Sequence, residues 1–112
     1  MAKVRYSPEF LRDLQRMEDY ISYEMFDPDS AVETRNGLLS KTDTLETFPE
    51  RGIPLHLPDG TFTGYRGVLY KNYIAVYRVV GDEAEVTRAA HTSQDYMRIV
   101  FPWLNHYRSF DN

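Results

Sequence analysis

The chain has 112 residues, a net charge of −4 and a composition that is 42% hydrophobic, with nine tyrosines, six phenylalanines and no cysteine. That is one domain's length with an aromatic-rich core; the missing thiols exclude disulfides, thiolate zinc sites and cysteine nucleophiles, and the acidic balance argues against a general nucleic-acid binder, whose affinity comes from neutralised phosphates. No apolar run approaches the ~20 residues of a membrane helix and the start "MAKVRYSPEF" lacks a signal-peptide core, so the expectation is a soluble, cytoplasmic protein.

"KVRY" (3–6) reads as a short strand. Ser7-Pro8-Glu9 then starts a helix: Ser caps free amides, Pro occupies the first turn where no donor is needed, and Glu complements the positive helix end. Phe10, Leu14, Met17 and Ile21 recur at 4-3-4 spacing, an amphipathic stripe that predicts a helix over about 8–24. Asp27-Pro28 repeats the device, with Ala31, Leu38 and Leu45 as the second stripe, and Phe48-Pro49 ends it because a residue before proline leaves the helical region. The short connection at 25–28 makes these two helices an antiparallel hairpin.

Residues 50–64 carry three of the six glycines and two of the six prolines, and read as a loop with room for a short strand. Three strands are predicted after it, 65–70, 73–80 and about 84–90, joined by tight turns at Lys71-Asn72 and Gly81-Asp82-Glu83. A last helical turn is expected within 93–101, and 102–112 is treated as an aromatic tail beyond a single domain of 1–101. The order β-α-α-β-β-β means an α+β fold, with an N-terminal strand and a helical hairpin packed on one face of a C-terminal antiparallel meander. Along 73–80, Tyr73, Ala75, Tyr77 and Val79 alternate with Ile74, Val76 and Arg78. The first set is expected to face the helices, and the second to form an open face awaiting a partner.

"VRYSPEFLRDLQRMEDYI", "TLETFPERG", "YRGVLYKNYIAVYRV" and "VTRAAHTSQDYMRIV", in this order and at these spacings, resemble the RelE/ParE superfamily of toxins from bacterial type II toxin–antitoxin pairs. The likeness runs over about residues 3–101 and implies the same α+β fold. It also implies an antitoxin partner, expected to cover the open sheet face and the helical hairpin and to bury Ile74 and Val76. RelE-like members cut messenger RNA on the ribosome without metal, whereas ParE-like members block DNA gyrase and have no nuclease site.

Metal-free RNA cleavage needs a proton acceptor, a proton donor and cations for the crowded phosphate. By resemblance, Arg66 stands where RelE-like enzymes have a basic residue on the first meander strand, and His91 and Tyr96 form an H-x4-Y arrangement like their C-terminal segment. Ile74 and Thr92 replace arginines of that pattern; Arg78, Arg88 or Lys71 are the candidates to supply the missing charge. The expected site is therefore Arg66, Arg78, Arg88, His91 and Tyr96, with no cofactor and no metal. Each has a plain structural alternative: Arg66 pairing with the helical hairpin, His91 an ordinary hydrogen-bonded histidine, Tyr96 packing, Arg78 and Arg88 surface charges. His56 and His106 lack metal-ligand spacing, and Phe101, Trp103 and Tyr107 are expected to pack. The leading expectation is ribosome-dependent cleavage of messenger RNA; the alternatives are gyrase inhibition by binding, or a non-toxic module that still holds its antitoxin.

Overall fold

The computed structural model describes residues 2–106. Tyr107 lies outside them, and so does the His106 side chain. Strand β1 (Lys3–Tyr6) leads through Ser7 into helix α1 (Pro8–Asp19); the chain continues as a wider π-helical turn over Tyr20–Glu24 and returns as helix α2 (Pro28–Asp43). Both helix starts work as their sequences dictate: the Ser7 side chain accepts from the Phe10 amide at 3.0 Å and the Asp27 carboxylate from the Ser30 amide at 3.1 Å. A 3₁₀ turn, Thr44–Glu46, closes α2 ahead of Phe48-Pro49.

Four strands follow: β2 (Ile53–His56), β3 (Phe62–Tyr70), β4 (Tyr73–Val80) and β5 (Glu83–His91). They form one sheet in the order β1-β5-β4-β3-β2, in which β2 to β5 run antiparallel and β1 lies parallel to β5. The loop at 50–64 thus does contain a strand, and β3 starts three residues earlier than its apolar run suggests. Lys71, in the left-handed region at φ 51°, makes the β3–β4 turn, and Gly81 at φ 62° the β4–β5 turn.

The hairpin packs on one sheet face. Phe10, Leu14, Met17 and Ile21 of the first helical segment and Ala31 and Leu38 of α2 meet Val68, Ala75, Tyr77, Ala84, Val86 and Ala89. Burying each large side chain contributes about 1.5–3 kcal/mol. Between Val76 and Tyr77 the register against β5 shifts by one residue, a bulge at Thr87. The bulge resets the alternation, so Ala84, Val86 and Ala89 share the helix face while Arg88 and Ala90 turn to the other.

The second face is not open, which corrects the expectation above. Helix α3 (Tyr96–Val100) and the turn Pro102–His106 fold back across it. Ile74, Val76, Leu55 and Ala90 form a second core there with Tyr65, Tyr96, Met97, Ile99 and Val100, and Ile74 and Val76 keep only 2% and 1% of their surface. Phe101 and Leu104 are buried, and the Phe101 ring meets Tyr65 edge-on at 5.1 Å. A strand apolar on both faces is a strand covered on both faces. Ile74 and Val76 are therefore already buried by the chain itself, not left for an antitoxin to bury.

Candidate functional site

Beyond the end of β1, the edge of β5 is free of a strand partner, and α1 supplies one. Asp13, at 8% exposure, accepts from the Ala89 amide at 3.0 Å and takes the Arg88 guanidinium in a two-pronged pair, Nε to Oδ2 at 2.7 Å and Nη2 to Oδ1 at 3.1 Å. Arg88 Nη1 also donates to the Ile99 carbonyl at 3.2 Å. One guanidinium so ties α1, β5 and α3 together, and its hydrogen bonds to Asp13 hold its pKa above the ordinary arginine value.

A groove of about 890 Å³ opens beside this pair, between the first helical segment and the end of β4–β5. Asp13, Arg16, Tyr20, Tyr73, Arg88 and His91 contribute to its walls. Burial raises the Tyr73 phenol pKa, so the ring stays neutral. His91 meets Tyr73 edge-on at 5.0 Å. Its Nδ1 accepts from the Ser93 amide at 3.0 Å with Ser93 Oγ at 2.6 Å. An amide can only donate, so in the neutral ring the proton sits on Nε2. Lys71, at the far end, is tied to Glu33 at 2.6 Å, and Glu33 also accepts from the Tyr70 hydroxyl. This network lowers the Glu33 pKa and raises that of Lys71, the Glu33–Lys71 hydrogen bond being the largest cause of both.

Of the five residues expected in a site, only Arg88 and His91 share this groove. Arg66 sits on the helix face opposite Tyr77, donating to the carbonyls of Glu50 and Gly52 at 3.3 and 3.2 Å, with its guanidinium 5.4 Å from the Phe62 ring centre. Arg78 lies on the other face, paired with Glu85 at 3.2 Å and 5.7 Å from the Tyr65 ring centre. Tyr96 is half-buried in the second core. His91 pairs in register with Tyr73, five residues from Arg78 along β4 and so about 17 Å away along the strand. The five are therefore divided between both faces and both ends of the sheet. Among the described residues no group of His, Asp and Glu could hold a metal, and no helix is long and apolar enough to cross a membrane.

Asp13 is the residue the sequence reading passed over. Its signal was its place inside the apolar stripe, three residues after Phe10 and four before Met17, where a carboxylate must find a partner.

A family model described as the ParE toxin of the type II toxin–antitoxin system, parDE, matches residues 4–96. No curated protein matches the sequence. Solved structures share the fold: the chromosomal ParDE system from P. aeruginosa at TM-score 0.67 and 19% identity, covering 81% of this chain and 96% of that one; YafQ from E. coli at 0.52 and 17%, covering 83% and 96%; and the RelBE2 toxin–antitoxin complex from Mycobacterium tuberculosis at 0.50 and 22%, covering 80% and 96%. With the family match spanning nearly the whole described domain and the β-α-α-β-β-β-β order beneath it, the chain belongs to the ParE toxin family of type II toxin–antitoxin systems.

Proposed function

We propose that this toxin acts by binding its target, with DNA gyrase as the target and a cognate antitoxin as its silencing partner, rather than by cutting messenger RNA. The observation that carries this reading is the dispersal of Arg66, Arg78, Arg88, His91 and Tyr96. A 2′-OH attacking its own phosphate needs acceptor, donor and cations within a few ångströms of one phosphorus. Here Arg88 is committed to Asp13, Arg78 to Glu85 and Arg66 to backbone carbonyls. The ParE family match supports the same reading.

The test is induction in growing bacteria, following plasmid topology and transcripts together. Relaxed or linear plasmid with intact messages is the expected result. Cut messages with normal supercoiling overturn it, and so does unimpaired growth. Ribosome-dependent RNA cleavage is the second reading, favoured by one feature: Arg88 and His91 line one groove with the rings of Tyr20 and Tyr73, which are suited to stacking on bases.

A further inference from the structure

The two sides of the sheet are joined through one side chain. Arg88 leaves β5 on the second face, where Tyr96, Met97, Ile99 and Val100 pack over Ile74 and Val76. Its guanidinium nevertheless reaches Asp13 on α1, which packs on the first face. The register of β1 against β5 ends at Val86, so no strand stands in the way. The remaining nitrogen, Nη1, donates to the Ile99 carbonyl at 3.2 Å. Ile99 itself belongs to both sides: it lines the groove beside the hairpin and packs into the second core.

Helix α3 has five residues, too few to hold a helix by its own hydrogen bonds. The Phe101 amide donates to the Met97 carbonyl and the Leu104 amide to the Phe101 carbonyl, while Arg98 binds Asp95 and the Leu104 carbonyl. These bonds close within the segment and do not fasten it to the sheet. The bond from Arg88 to Ile99 does. Asp13 fixes where Arg88 points, because a carboxylate at 8% exposure is a strong, poorly hydrated acceptor. Arg16, 3.8 Å from Asp13 and largely in solvent, is a weak substitute partner. A guanidinium can hold a carboxylate with one edge and a carbonyl with another; a lysine ammonium lacks that planar fork.

We propose that Asp13 and Arg88 form a latch: their pairing on the hairpin side of the sheet holds the C-terminal segment closed over Ile74 and Val76 on the other side. Anything in the groove that draws Arg88 away from Asp13 frees Ile99 as well. The two faces are thereby coupled, and the coupling is reciprocal: opening the segment loosens Arg88 toward the groove by the same free energy. The latch is independent of whether the toxin's target is gyrase or RNA.

Native-state hydrogen exchange of the full chain reads this opening amide by amide. In Asp13→Asn, which keeps an acceptor for the Ala89 amide, the amides of Arg98, Phe101 and Leu104 should exchange at least tenfold faster. In Arg88→Lys, which can still meet Asp13 but loses the fork, they should exchange at least threefold faster. Tyr77→Phe is the control: it weakens the fold at the Gly52 amide, away from the latch, and should leave these three amides unmoved while speeding exchange in β3 and β4. Persistent protection of the β4 amides verifies that each variant is folded. Two results overturn the proposal. In one, the three amides keep their rates in Asp13→Asn or Arg88→Lys. In the other, Tyr77→Phe speeds them as much as Asp13→Asn does, so that they open only when the whole chain unfolds.

Discussion

Asp13 of α1 and Arg88 of β5, seventy-five positions apart in sequence, form a two-pronged ion pair that also closes the unpaired edge of β5 through the Ala89 amide. Asp13→Ala strands a part-buried guanidinium and a strand amide together, and is expected to cost about 2–3 kcal/mol, below the fully buried range because Arg88 retains some solvent. Asp13→Asn keeps an acceptor for Ala89 and should cost less. Urea midpoints of the two variants check the order; equal loss in both would mean the amide contact contributes nothing separate.

Gly52 lies against the buried Tyr77 ring, and its amide donates to the Tyr77 hydroxyl at 2.9 Å. A Cβ on Gly52 would come within 2.7 Å of that ring and 2.9 Å of the Gly67 carbonyl. Gly52→Ala is expected to destabilise by about 1–3 kcal/mol through overpacking, and Tyr77→Phe by about 1–3 kcal/mol because it leaves the Gly52 amide without its acceptor. The two share one contact, so a double-mutant cycle in denaturant should show them to be non-additive.

Lys71 and Tyr70 lower the Glu33 pKa. A carboxylate with a lowered folded value adds stability that is complete above its unfolded value and is lost as pH falls through the folded one. Glu33→Gln should therefore flatten the acid limb of the stability–pH profile, by a small amount since the group is exposed. Tyr70, whose pKa the same carboxylate raises, adds stability that is lost as pH climbs through its folded value. The variant should flatten that alkaline limb too, and thermal melts across pH check both.

On the binding reading, His91→Ala leaves growth inhibition on induction unchanged, because no proton has to be moved. On the RNA-cleaving reading, which rests on the groove that His91 shares with Arg88, it relieves the inhibition. Growth curves paired with a circular dichroism check of folding separate the two.

The helical half of the fold was legible because its information is local: Ser7-Pro8 and Asp27-Pro28 announce helix starts, and the Phe10–Leu14–Met17–Ile21 stripe announces the buried side. Two things were not. Parallel pairing of Lys3–Tyr6 with Glu83–Val86 is set by contacts across eighty residues and leaves no local mark. The bulge at Thr87 breaks strict alternation without a glycine to signal it, so the face of Arg88 could not be read by counting. Whether Arg66, Arg78 and His91 meet depends on strand order and register, which no residue taken alone carries. The closure of the second face has its mark in the sequence, in the apolar Ile74 and Val76 together with the dense Tyr96–Phe101 run that covers them.

The C-terminal segment over Ile74 and Val76 has the standing of a built-in competitor. Any ligand for that sheet surface meets it only in the fraction of molecules where residues 96–104 have lifted away, so its apparent affinity is its intrinsic affinity scaled down by that fraction. Substitutions that loosen the lid, such as Phe101→Ala, would strengthen such a ligand without touching it.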